Sequence, residues 1–152
     1  MATASTVDAD FGTSGKKPGE RIQCVVVTPE RTLFDELVEF VSLPLFDGEL
    51  GVLPGRSPLI GRLGFGELRT KALGGTKRYF VDGGFVQVRD DLVTVLTNRA
   101  IPADLLDAAV AEGELEQART RRASNEQEAT EKTRAIGRAQ AMIRVARHQG
   151  KA

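Results

Sequence analysis

The chain has 152 residues, 41% hydrophobic and 28% charged, and its 21 lysines and arginines balance 21 aspartates and glutamates. That length suits one domain, or a small core with an appendage, and the composition is that of a soluble globular chain. Zero net charge and the lack of a basic patch exclude an ordinary nucleic-acid binder. No stretch reaches the roughly 20 apolar residues that a helix needs to cross a bilayer, so any membrane contact is expected through a partner.

Residues 1–20 are small, polar and glycine-rich, with Phe11 as the one large apolar side chain. Such a segment buries too little surface to offset its ordering entropy, and a flexible extension is expected. It has neither the basic start nor the apolar core of a secretory signal. Within it, Gly12-Thr13-Ser14-Gly15-Lys16 is a poor phosphate-binding loop, because Lys17 stands where Ser or Thr must follow and no strand precedes.

Residues 21–100 carry strand signals. Ile22 to Val27 is a β-branched run closed by Thr28-Pro29, and Leu37 to Leu43 is ended by Pro44 and then by Asp47-Gly48. Glu67 to Leu73, Thr76 to Val81, Phe85 to Val88 and Leu92 to Thr97 follow, separated by glycine and aspartate turns. Short strands with such punctuation predict an antiparallel sandwich or barrel. No helical periodicity long enough for βαβ crossovers precedes Asn98.

The composition changes after Ala100. Residues 101–152 lack aromatics and are rich in alanine, glutamate and arginine. Asp104 is expected to cap a helix running to about Arg122, and Ser124 a second from Asn125 to about His148, with Gly150 ending it. The second helix carries the stripe Ala129, Thr133, Ile136, Ala139, Ile143, Ala146, and the first carries Leu105, Leu106, Ala109 and Ala118. These stripes are thin and made mostly of small residues, which predicts a close antiparallel hairpin that is only loosely held.

Catalytic chemistry finds little support. The one histidine, His148, lies near the end of a helix, far from the enclosure that tunes a catalytic base. The one cysteine, Cys24, lies in an apolar run and reads as a small core residue. One of each makes no metal cluster. Asp35 and Glu36 are adjacent on a strand and point to opposite faces, while Asp47 and Glu49 flank a turn glycine. No cofactor and no catalytic residue is expected.

The distinctive segment is Asp47-Gly48-Glu49-Leu50-Gly51-Val52-Leu53-Pro54-Gly55-Arg56-Ser57-Pro58. Read alone, it is an inter-strand connection whose prolines guard a sheet edge. It also resembles the characteristic loop of the epsilon subunits of F-type ATP synthases, in which an acidic-glycine-leucine-glycine stretch leads to proline-glycine. The likeness continues upstream in Val27-Thr28-Pro29-Glu30-Arg31 and downstream in Gly66-Glu67-Leu68-Arg69, Gly83-Gly84-Phe85-Val86-Gln87-Val88 and Val93-Thr94-Val95-Leu96. The resemblance spans residues 22–152 and leaves out the first twenty.

The resemblance implies a β-sandwich of about ten antiparallel strands followed by a C-terminal helical hairpin. It implies a non-catalytic rotor part on the cytoplasmic side of the inner membrane, bound to the gamma subunit and the c ring, coupling proton flow to ATP synthesis. Glu49, Leu50, Gly51, Pro54, Arg56, Ser57 and Pro58 would then meet the ring and gamma. An extended hairpin would bring Arg119, Arg121, Arg122, Arg134 and Arg138 against the alpha and beta subunits and slow ATP hydrolysis. Some relatives bind ATP in the hairpin. Here Asp107 and Arg138 match parts of that site, but Val110 and Met142 stand where arginines belong, which predicts weak or absent binding. The alternatives are an ATP-sensing module and an unrelated sandwich-plus-hairpin adaptor.

Overall fold

The computed structural model describes residues 21–148, and the expectations for residues 1–20 and for Gly150 lie outside them. The β-branched runs form eight strands among the described residues. They are β1 (Ile22–Val27), β2 (Thr32–Val38), β3 (Phe40–Leu45), β4 (Gly48–Val52), β5 (Leu59–Ala72), β6 (Gly75–Arg89), β7 (Leu92–Leu96) and β8 (Ala100–Pro102). Their order is β2-β1-β7-β6-β5-β3-β4, with β8 on β6. Every pair is antiparallel except β1 with β7, where Gln23 to Val27 run parallel to Leu92 to Leu96. That pair joins two elements distant in the chain, so no hairpin turn constrains its direction.

The runs read separately as Thr76–Val81 and Phe85–Val88 are one strand, β6, which pairs with β5 from Leu59↔Val88 to Ala72↔Gly75. Its last residues pair with β7, whereas Tyr79 to Val81 pair with β8. Both long strands therefore pass from one layer of the sandwich to the other. The first layer holds β2, β1, β7 and the near halves of β6 and β5. The second holds β8, the far halves, β3 and β4. Counting β5 and β6 once in each layer gives five segments per layer, the ten expected. The crossing on β6 falls at Gly83 (φ +69°) and Gly84 (φ +112°). A Cβ on Gly84 would lie 1.9 Å from the Leu96 carbonyl oxygen, so β7 approaches closer than any side chain allows.

Alternate residues of the strands point into one core, from Ile22, Cys24 and Val26 on β1 to Val93 and Val95 on β7. Each fully buried valine or leucine contributes about 1.5–3 kcal/mol relative to exposure. Val81 faces this core. Its neighbour Phe80 faces away, into a second cluster with Ala103, Ala111, Ala141, Met142 and Val145. The hairpin covers that outer side of the second layer.

A single 3₁₀ turn at Ala103–Leu105 follows β8, and the helices are α1 (Ala108–Thr120) and α2 (Glu126–His148). Both caps differ from the sequence reading. Leu106 is extended (φ −77°, ψ 140°), which stops a helix from starting at Asp104. Asp107 caps α1 instead, its Oδ1 accepting from the Ala109 N–H at 2.9 Å. At α2, Asn125 Oδ1 accepts from the Glu128 N–H at 2.8 Å while Glu128 accepts from the Ser124 N–H at 2.8 Å. Asn125 therefore takes the cap assigned to Ser124. The buried stripes shift as well. Ala111 and Ala118 face inward on α1, while Leu105 is 72% exposed. On α2, Ala139 and Ala146 are buried as expected, Ala129 and Thr133 are exposed, and Ala141, Met142 and Val145 are buried in addition. The sandwich, not the partner helix alone, selects that second face.

Candidate functional site

The proline-glycine segment is part strand and part turn. Glu49 to Val52 belong to β4, the edge of the second layer, paired with β3 alone. Strand alternation splits the predicted interface residues there. Leu50 points inward and joins the core at 9% exposure, so it offers no contact surface. Glu49 and Gly51 lie on the outer side, and Glu49 borders a hollow shared with Arg144 and His148 of α2.

The turn proper runs from Leu53 to Pro58. The Arg56 N–H donates to the Leu53 carbonyl at 3.3 Å, and Gly55 adopts φ +88°. The Gly55 N–H also donates to Asp91 Oδ1 at 2.7 Å, which braces this turn against the one joining β6 to β7. Pro54 is half-buried, and Gly55, Arg56, Ser57 and Pro58 are exposed. The result is a rigid, solvent-facing tip carrying one permanent cation, with Leu53 60% and Ile60 76% exposed beside it.

A second surface escaped the sequence reading. On the outside of the first layer, register aligns Val27, Leu96, Phe85 and Arg62 across four strands. Phe85 and Leu96 are 56% and 52% exposed, and the Arg62 guanidinium stacks over Phe46 at 5.4 Å. The signal was present in the sequence, because Phe85 alternates with the core residues Val86 and Val88. An apolar side chain on the supposed solvent face is visible only once the face is assigned. A contiguous apolar row on an open sheet face marks a contact surface.

The seam between hairpin and sandwich is apolar at its centre and ionic at two points. Arg138 Nε of α2 lies 3.0 Å from Asp82 Oδ2, and its guanidinium sits 5.2 Å over the Phe65 ring. Further along α2, Arg78 of β6 binds Glu67, donates to the Val145 carbonyl at 3.2 Å and meets His148 Nδ1 at 3.4 Å. The sequence reading singles out neither Asp82 nor Arg78, and Glu67 enters it only within a strand and the Gly66-Glu67-Leu68-Arg69 motif. Their partners lie up to 70 positions away, and no local pattern marks such pairs.

Of the arginines expected to face a catalytic head, Arg119, Arg121 and Arg122 are exposed at the far end of α1. Arg134 lines an open cavity, and Arg138 is engaged with Asp82. The structure also separates the ATP-site candidates. Arg147 of α2 pairs with Glu112 of α1, which fixes the antiparallel register. Arg138 lies nine residues before Arg147, and Asp107 five before Glu112 on the oppositely directed helix. At 1.5 Å per residue the two side chains are displaced by about 20 Å along the hairpin. Val110 is exposed and Met142 is buried in the seam.

Cys24 is fully buried, and burial first, then Asp35 and Glu36, pushes its thiol up to about 12. It stays protonated at neutral pH and serves as core. Among the described residues no group of three or more acidic, cysteine or histidine side chains gathers as a metal site.

Comparison with known proteins gives the same picture. The family model described as "ATP synthase, Delta/Epsilon chain, beta-sandwich domain" matches residues 21–103. The ATP synthase epsilon chain of Rhodopirellula baltica is 55% identical over 126 residues, covering 83% of this chain and 98% of that one. The ATP synthase epsilon chain of Carboxydothermus hydrogenoformans is 41% identical over 102 residues, covering 67% and 76%. Among solved structures, a chain of the Euglena gracilis mitochondrial ATP synthase (OSCP/F1/c-ring) superposes with TM-score 0.74 at 24% identity, covering 87% of this chain and 85% of that one. A chain of the Tetrahymena thermophila mitochondrial ATP synthase central stalk and c ring does so with TM-score 0.67 at 11% identity, covering 86% and 99%; both show the shared fold. With a family model across more than half its residues and a relative matched almost end to end, the chain belongs to the ATP synthase epsilon-chain family.

Proposed function

We propose that the chain is a coupling and regulatory part of an F-type ATP synthase rotor, without a catalytic centre of its own. The observation that carries this reading is the 55% identity across 98% of an ATP synthase epsilon chain. In this role it transmits rotation driven by proton flow to the catalytic head, as a peripheral part on the cytoplasmic side of the inner membrane. The braced Pro54 to Pro58 tip suits the c ring, since it presents a fixed shape and loses little entropy on binding. The outer row of Val27, Leu96 and Phe85 suits the gamma subunit, because it is an exposed apolar sheet face that opens onto the corner cavity bordered by Arg134 and Arg138 of α2. Arg119, Arg121 and Arg122 stand free to meet acidic surface on the alpha and beta subunits once the hairpin extends. The neutral thiol of Cys24 and the exposed position of His148 fit the absence of nucleophilic chemistry.

The test is to add the whole chain, or a chain ending at Asp104 so that β8 is retained, to the catalytic head carrying gamma. Both are expected to bind, and only the whole chain is expected to slow ATP hydrolysis severalfold. Equal rates would remove the inhibitory role of the hairpin, and failure of both to bind would remove the rotor assignment.

The ATP-sensing alternative finds no support in the geometry. Asp107 caps its own helix, Arg138 is committed to Asp82, and Met142 is core. Two charge-assisted hydrogen bonds of about 1.5–3 kcal/mol each are missing. Isothermal titration of the whole chain with ATP is expected to show a Kd weaker than about 100 µM, or roughly −5.5 kcal/mol. A tighter value would restore the sensor reading. The unrelated-adaptor alternative is excluded by family membership.

A further inference from the structure

One carboxylate, Asp82, stands between two arginines carried by different parts of the molecule. Its backbone is fixed by the sandwich alone. The Asp82 N–H donates to the Arg99 carbonyl at 3.1 Å and shares Thr97 Oγ1 at 3.3 Å, and the Asp82 carbonyl accepts from Asn98 Nδ2 at 3.3 Å. The carboxylate is therefore held ready whether or not the hairpin is present. In the docked form Arg138 Nε of α2 lies 3.0 Å from Oδ2, while Arg99 Nη2, which belongs to the sandwich, lies 4.0 Å from the same oxygen.

We propose that Asp82 is a partner-exchange latch, bound by Arg138 when the hairpin is docked and taken over by Arg99 when the hairpin leaves. The proposal rests on the reading of the hairpin as a regulatory arm that docks and releases. With the hairpin docked the Asp82 side chain is only 12% exposed, and taking Arg138 away strips this carboxylate of its nearest cation, which would penalise release. Arg99 removes the penalty. It is anchored beside Asp82 by its own carbonyl, its side chain is 47% exposed, and a rotation that shortens the 4.0 Å gap completes the pair. Its half-exposed side chain leaves it free to make that rotation. With the hairpin in place, Arg99 also adds a third cation beside Arg138 and Arg134. The two arginines on Asp82 therefore act on docking with opposite signs. An ordinary ion-pair cluster would have both favour it. The other ionic contact of the seam has no such exchange, because Arg78 and Glu67 both belong to the sandwich and stay paired after release.

The test uses the full chain with donor and acceptor dyes on Glu30→Cys and Glu131→Cys. Their neighbours Pro29 and Arg134 border the same cavity, so docking brings the dyes together, and buried Cys24 stays unlabelled. Energy transfer along a urea titration gives the docking constant, and Tyr79 fluorescence checks that each variant keeps its sandwich. Arg138→Ala is expected to lower the docking constant about tenfold, the loss of a half-buried charge-assisted bond. Arg99→Ala is expected to raise it about threefold, the scale of a partly exposed pair. Asp82→Asn should lower it as Arg138→Ala does and erase the effect of Arg99→Ala. An Arg99→Ala value at or below the parent's, or a rise that persists beside Asp82→Asn, overturns the exchange. The measurement is made on the free chain, so failure to bind gamma or the ring would count against the rotor reading and not against the latch.

Discussion

Gly84→Ala is expected to cost about 4 kcal/mol, a large part of the roughly 5–15 kcal/mol that stabilises an ordinary domain. Two effects add. The residue sits at φ +112°, where an L side chain is strained by about 1–3 kcal/mol. The new methyl group would lie 1.9 Å from the Leu96 carbonyl oxygen and 2.9 Å from Leu96 C and Thr97 Cα. These are backbone atoms, so no rotamer change relieves the clash, and β7 must move away from β6 at a further cost of about 1–3 kcal/mol. Both sheet layers and Asp82 converge at this crossing, so the strand shift disturbs the core at Val95 and the latch together. Urea unfolding followed by Tyr79 fluorescence would measure it. A variant within 1 kcal/mol of the parent would show that β6 crosses between layers without needing glycine there. The contrast is Gly74→Ala at the β5–β6 turn, where a Cβ meets nothing within 4 Å and a small change is expected.

Period-two alternation in runs such as Ile22 to Val27 announced the strands, and the loss of aromatics after Phe85 announced the change to helix. Gly83-Gly84, read as a turn, is in fact a strand passing between layers. Glycine permits both a turn and a close backbone crossing, and only the neighbouring strand decides between them. The Pro54-Gly55 turn was legible as a motif, yet its stiffness comes from Asp91, 36 positions away. The inward turn of Leu50 needed the register with Leu43, which no local window contains. Asp107 was legible as a motif residue and proves to be a cap, because aspartate serves both roles with the same oxygen. The ionic contacts of the seam were hidden for a simple reason. Arg138 and Asp82 stand 56 residues apart, and each alone looks like a solvated surface charge.

Phe80→Ala should release the hairpin and leave the sandwich standing. Phe80 is fully buried, yet it faces away from the main core, against Ala103, Ala111, Ala141, Met142 and Val145. Met142 and Val145 are the only buried neighbours larger than alanine, with Phe65, Ile101, Leu106 and Ile143 partly buried around them. The ring is therefore the largest fully buried side chain holding α2. Removing a buried phenylalanine side chain costs about 3–5 kcal/mol where the surroundings cannot adjust. Here they can, because undocking is available and limits the loss to the docking free energy. With the remaining ionic contacts partly exposed and contributing about 1 kcal/mol each, the hairpin should then be mostly undocked. Hydrogen exchange on the whole chain would read this directly. The amides of Ala139 to Val145 are expected to lose protection while those of Val93 and Val95 keep theirs. Equal loss at both places would mean that Phe80 holds the sandwich itself, and that hairpin and sandwich form one cooperative unit with no separable arm. Retained protection at both would mean that the ionic contacts alone hold the arm, which would move the weight of regulation from apolar burial to Asp82 and Arg78.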